Sequence, residues 1–162
     1  MLAVVFHLGE DRYALPARRV AEIVPYIPLR GAPGAPAWVA GVFDYRGVVV
    51  PVVDLDRYVG LGPCPRRYSS RILVCMARAE TTRGHGDHEA GSLVGALAER
   101  VLDVQVVDPD AQGALAALGT SERPALGRLV KDETGLIQLV DVEDLIPRDL
   151  LARLTRDEEG DS

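Results

Sequence analysis

A mainly β fold built as small β-barrels is the class this sequence predicts, and three observations carry the prediction. Valine-rich runs such as LAVVFHL, VVVPVVDL and RILVCMA recur along the chain, rich in the β-branched residues that suit a pleated, buried surface. Turn residues separate them at short intervals, as in Gly9-Glu10-Asp11 and Asp132-Glu133-Thr134-Gly135. Aromatic residues make up only 5% of a chain that is 48% hydrophobic, so valine, leucine and alanine must fill the interior. About eight to ten short strands joined by short helical connectors then suit barrels better than a helical bundle.

The elements follow in order. Residues 2–8 form the first strand, and Tyr13–Leu15 pairs back on it as a hairpin. Pro16 is expected to open a short helical turn through ARRVAEIV, where its missing N–H costs nothing. GAPGAPAWVAG, residues 31–41, is a loop of restricted conformation that Trp38 anchors by burying its ring. Asp44-Tyr45-Arg46-Gly47 then forms a polar turn into the strand VVVPVVDL, in which Pro51 demands an edge, a bulge or a bend. RILVCMA (71–77) is the next strand, and the polar TTRGHGDHEAG after it reads as an exposed hairpin loop. Residues 92–108 can be a helix, with Leu93, Leu97 and Val101 spaced by four; the β-branched ending Val104, Val106, Val107 favours two strands or one bent strand. PDAQGALAALG gives a short helix or loop, and GRLVKDETGLIQLVD a hairpin turning at Asp132–Gly135. VEDLI is a short helix that Pro147 ends. Residues 1–150 are thus expected to be one domain, and 151–162 a charged tail.

At 162 residues the chain suits a single domain with room for two small lobes. A net charge of −6 without a basic run argues against binding nucleic acid, which needs clustered lysine and arginine. No apolar run approaches the roughly 18 residues that would cross a bilayer. MLAVVFHL lacks the basic start of a signal peptide and reads as a strand. Two cysteines, Cys64 and Cys75, suggest no disulfide framework, so a reducing cytoplasm is the simplest compartment.

Catalytic and metal chemistry has little to build on. His85 and His88 form H-x-x-H in a flexible glycine-rich stretch, whereas a metal centre needs three or four converging ligands. Asp54 and Asp56 follow a strand as a phosphoryl-transfer pair would, but no accompanying lysine or hydroxyl motif supports them, and Asp54 is expected to cap the next turn. No phosphate-binding loop or dinucleotide fingerprint is present. The expectation is a protein without catalytic residues, cofactor or metal. The alternative is a small-molecule-binding or hydrolytic β-barrel using Asp54, Asp56 and the His85/His88 loop.

Four segments together carry a family resemblance: VVFHLGEDRYALPARRVAEIV, APAWVAGVFDYRGVVVPVVDL, LVGALAERVLDV and GRLVKDETGLIQLVDVEDLI. In this order and spacing, from residue 2 to about 146, the chain resembles CheW, the scaffold that couples bacterial chemoreceptors to the histidine kinase CheA. The resemblance implies two five-stranded, SH3-like β-barrels packed around a shared apolar interior, with short helices. It also implies two partners, the cytoplasmic tip of a chemoreceptor and the regulatory domain of a CheA-like kinase, which itself has this fold. The protein would work in the cytoplasm, recruited to membrane-associated receptor arrays without entering the membrane. The family's usual N-L-R-G turn is here Asp44-Tyr45-Arg46-Gly47, and its usual V-D is Ala98-Glu99. Phe43 and Tyr45 look similar to adaptors of non-flagellar systems, such as the Wsp type.

Carried over onto this chain, the resemblance makes Arg46 a partner-facing residue, flanked by Asp44 and Tyr45, with Glu22 as its matching acid. The competing reading is a turn arginine paired locally and nothing more. Val20, Val101 and Val104 would line a receptor-facing groove between the barrels, against the plain reading of ordinary core valines. A third possibility is a regulatory module of the same fold whose partner is not a kinase.

Overall fold

The computed structural model describes residues 1–65, 69–77, 92–110, 123–147 and 150. Among these lie ten strands: β1 (Leu2–Leu8), β2 (Asp11–Pro16), β3 (Val20–Pro25), β4 (Val39–Tyr45), β5 (Val48–Asp54), β6 (Arg71–Ala77), β7 (Ser92–Ala98), β8 (Arg100–Val106), β9 (Leu126–Asp132) and β10 (Gly135–Val140). One four-residue helix, α1 (Leu55–Tyr58), follows β5. The strands form two five-stranded sheets, ordered β8-β1-β2-β10-β9 and β3-β6-β7-β5-β4. Each sheet has one parallel pair, β2 with β10 and β5 with β7, and all its other pairs are antiparallel. The first sheet takes its strands from both ends of the chain, and the second from the middle.

Period-two alternation explains why so many strands read as continuous apolar runs. In β1, Val4, Phe6 and Leu8 face a central core shared by both sheets, while Ala3 and Val5 face the interior of their own lobe. In β6, Leu73, Cys75 and Ala77 join the central core, whereas Ile72 and Val74 fill the second lobe. Strands buried on both faces have no polar side to show. Gly95 fits the same packing: a Cβ there would lie 2.9 Å from Val52 Cγ2 and 3.0 Å from Ile72 Cγ2. At Gly95, β7 therefore packs against β5 and β6 too closely for a side chain. Residues 92–106 are two strands in different sheets, joined only by Glu99.

One expectation is corrected. ARRVAEIV is helical only over Ala17–Arg19; Val20–Pro25 is strand β3, paired antiparallel with β6. Valine and isoleucine at 20, 23 and 24 gain more from that ladder than from continuing a helical turn. Pro51 lies inside a strand flanked by two neighbours, yet without a lost bond. It faces Val42 of β4, whose N–H and C=O both bond Arg30 on the far side, so the Pro51 nitrogen points away from β4. On that other side the pairing with β7 begins only at Val52.

A charge pair ties the middle strand of the first sheet to its β9 edge. Arg12 of β2 donates to both carboxylate oxygens of Asp132, at 3.0 and 2.6 Å, beside the β9–β10 turn. This guanidinium holds the Asp132 carboxyl well below the usual carboxylate range. A depressed pKa adds stability in full above the ordinary value of 3.8, and that contribution is lost progressively as pH falls from there towards the depressed value. Asp132→Asn is expected to cost about 1 kcal/mol at pH 7, since the pair is partly open to solvent. Urea unfolding at pH 7 and pH 3 should show the difference from the parent shrinking on acidification.

Candidate functional site

The turn between β4 and β5 is built to hold a long side chain outward. Arg46 has φ 51° and Gly47 φ 85°, the pair of positive values a two-residue I′ hairpin turn needs. Arg46 is the one described non-glycine residue with positive φ. A left-handed arginine costs about 1–2 kcal/mol where glycine would cost little. The Gly47 N–H donates to Asp44 Oδ1 at 2.7 Å, fixing the turn from below. Arg46 then lies over the Tyr45 ring, 5.1 Å from its centroid, and Tyr45 meets Phe43 edge-on at 6.2 Å. Phe43 is buried in the second lobe's core, so the aromatic pair roots the turn.

From there the Arg46 guanidinium donates to Glu22 Oε1 of β3 at 2.6 Å, with 73% of the side chain exposed. Strands β3 and β4 are the two edges of the second sheet, so the ion pair joins one edge to the other. Beside it, the segment after β3 bonds to β4 through the Arg30–Val42 bridge, at 2.9 and 2.8 Å. An exposed pair of this kind adds little stability, about 0–1 kcal/mol, but it sets the direction of the arginine.

The three groove valines occupy different surroundings. Val20 and Val101 are half-buried against the central core, and Val104 is 50% exposed. Val104 belongs to a longer apolar strip: Leu2 and Val106 are paired neighbours across β1 and β8, and both are exposed, as is Leu102. Among the described residues β8 is an edge of its sheet, so this strip lies along a sheet edge. Sequence reasoning missed Leu2, Leu102 and Val106. The L-x-V-x-V alternation of 102–106 was the available signal, but its valines served only as evidence for a strand and, at Val104, for the groove.

Around α1 the chain buries charge. Asp54 caps the helix as expected, accepting from the Arg57 N–H at 3.3 Å through Oδ1, and its Oδ2 accepts from the Cys64 N–H at 2.9 Å. Asp56 is also buried, and its Oδ1 has no hydrogen-bond partner. Burial, then the charges of Asp54 and Glu99, push the Asp56 carboxyl up to about 6. The Cys64 thiol, buried beside the same carboxylates, is pushed up to about 12. Cys64 and Cys75 are both free and buried, as reduced thiols. The loop of His85 and His88 lies outside the described residues, so the hydrolytic alternative keeps only its two aspartates in view. No helix among the described residues is long and apolar enough to cross a membrane.

Comparison with known proteins agrees over nearly the full length. The CheW-like domain family matches residues 2–150. The chain is 26% identical over 145 residues to the chemotaxis protein CheW of Rhizobium meliloti, covering 89% of this chain and 86% of that one. It is 28% identical over 145 residues to the chemotaxis protein CheW of Helicobacter pylori, covering 89% of this chain and 80% of the relative. Among solved structures, the scaffolding protein TtCheW from Thermoanaerobacter tengcongensis superposes with a TM-score of 0.71 at 22% identity, over 90% of this chain and 87% of the other, a likeness of fold.

Proposed function

The chain belongs to the family of CheW-like domains, and from that premise we propose that it is a non-catalytic adaptor coupling chemoreceptors to a CheA-type histidine kinase. The observation that carries the reading is the family match over residues 2–150, which takes in every described element. Two surfaces of the molecule support a double-sided role. One is the Arg46–Glu22 turn, a rigid cation held outward on a strained backbone, which suits a charged or polar contact on a kinase regulatory domain. The other is the exposed apolar strip of Leu2, Leu102, Val104 and Val106, with Val20 and Val101 deeper, which suits the apolar flank of a helical receptor tip. Contacts of such modest area are reversible, as a signalling array requires. The protein would act in the cytoplasm, held at the membrane only through its receptor.

Affinity capture on the purified chain from the lysate of its own host tests this. A co-purifying histidine kinase that carries a domain of the same fold, together with a chemoreceptor, is the expected result. Recovery of neither, with the captured chain correctly folded, would overturn the reading.

A further inference from the structure

We propose that Asp54, Asp56 and Cys64 form a binding site for one divalent cation of borderline softness, zinc being the natural occupant. The inference rests on the geometry around α1 and is independent of the adaptor reading. One ligand atom from each residue lies within 4.8 Å of the other two, and all three residues are buried. Asp56 is 3% exposed, and its Oδ1 meets neither a hydrogen-bond donor nor solvent. A buried carboxylate oxygen left without a partner normally costs the fold several kcal/mol and calls for an explanation. A cation supplies one.

The rest of the site is arranged as a metal's surroundings usually are. The backbone N–H groups of Arg57 and Cys64 each take one oxygen of Asp54, which fixes the carboxylate and leaves a further lone pair on each oxygen. Arg57 Nε stands 3.7 Å from Asp54, so a dication would neutralise the remaining charge of two carboxylates and a thiolate. Two oxygens and one sulfur suit zinc or cobalt rather than calcium or magnesium, which take oxygen alone. A cavity of about 270 Å³ lined by Tyr26, Val39 and Arg57 borders two of the three ligands, Asp54 and Cys64. Zinc–oxygen and zinc–sulfur distances of about 2.0 and 2.3 Å imply ligand edges of roughly 3.5 Å, so the side chains would draw together on binding. Asp56 Oδ1 holds no hydrogen bond that binding would have to break. On binding, the Cys64 S–H releases its proton to solvent as the sulfur–metal bond forms, as does any proton on Asp56.

The test uses the full chain, stripped of metal by chelator and dialysis, and titrated with cobalt chloride. The expected result is one equivalent bound, with a near-ultraviolet thiolate-to-cobalt charge-transfer band that zinc abolishes by displacement. Cys64→Ser should lose the band, Asp56→Asn should bind at least tenfold more weakly, and a His85→Ala/His88→Ala double variant should behave as the parent. Zinc should also raise the melting temperature of the parent but not of Cys64→Ser, by mass action. No bound equivalent in the parent chain would overturn the site, whatever the variants do. A band that survives in Cys64→Ser, or is lost only in the histidine double variant, would overturn it equally.

Discussion

Tyr58→Ala should lower stability by about 3–5 kcal/mol, among the largest effects any single substitution here can have. For a domain of this size that is a fall of roughly 6–20 °C in melting temperature. Tyr58 ends α1 in the middle of the chain, is 2% exposed, and packs edge-on against Trp38 at 5.9 Å. Its hydroxyl accepts from the Ala125 N–H at 3.0 Å, and its carbonyl accepts from Arg123 Nε at 2.6 Å. Ala125 leads into β9 of the other sheet, so one residue ties the two lobes by ring, hydroxyl and backbone. Arg123 adds a cation–π contact, its guanidinium 4.1 Å from the Trp38 ring centre. Tyr58→Phe keeps the ring but strands the buried Ala125 N–H, and should cost about 1–3 kcal/mol. Urea unfolding separates the terms. A phenylalanine variant as stable as the parent would show that the hydroxyl bond contributes nothing.

Arg46 should behave in the opposite way, with function lost and stability kept. Arg46→Ala retains a left-handed non-glycine residue and gives up an exposed ion pair and a surface cation–π contact with Tyr45, each worth little, so its melting temperature should stay close to the parent's. Loss of an interfacial arginine contact costs ~1–3 kcal/mol of binding, so affinity for kinase or receptor should fall about tenfold to a hundredfold. Arg46→Gly sharpens the test. It relieves the φ of 51° and should stabilise the fold by about 1 kcal/mol while losing the same binding. Glu22→Ala should weaken binding less, because Glu22 aims the guanidinium, and the double variant should be non-additive. If Arg46→Ala unfolds the chain, the residue is a brace between sheet edges. If binding and stability are both unchanged, the turn faces no partner.

The strands were legible in the sequence because burial on two faces leaves an unmistakable apolar run, as in 71–77. Two places resisted local reading. Val20–Pro25 looked helical after Pro16, since nothing nearby announces that β6, some fifty residues on, will pair with it. β7 and β8 could pass for one helix because Leu93, Leu97 and Val101 recur every four residues, whereas the reason for Gly95 is a neighbour, Val52, on another strand. The site was legible where chemistry is local: Asp54 as a cap, and Arg46 beside a turn glycine. It was not legible where partners are distant. The burial of Asp56 and its approach to Cys64 depend on how the loop after α1 folds back, and the exposure of Val106 depends on β8 being an edge. Composition is the same for a core valine and an exposed one; only topology separates them.

The central claim is that this chain joins receptor to kinase. It is tested most directly by phosphorylation in a reconstituted mixture of receptor-bearing vesicles, the host's CheA-type kinase and labelled ATP, with and without the purified chain. Kinase autophosphorylation should rise several-fold only when all three are present, and Arg46→Ala should return most of that rise to the level without the chain. Equal kinase activity in the presence and absence of the chain, with both partners shown to be active, would contradict the account.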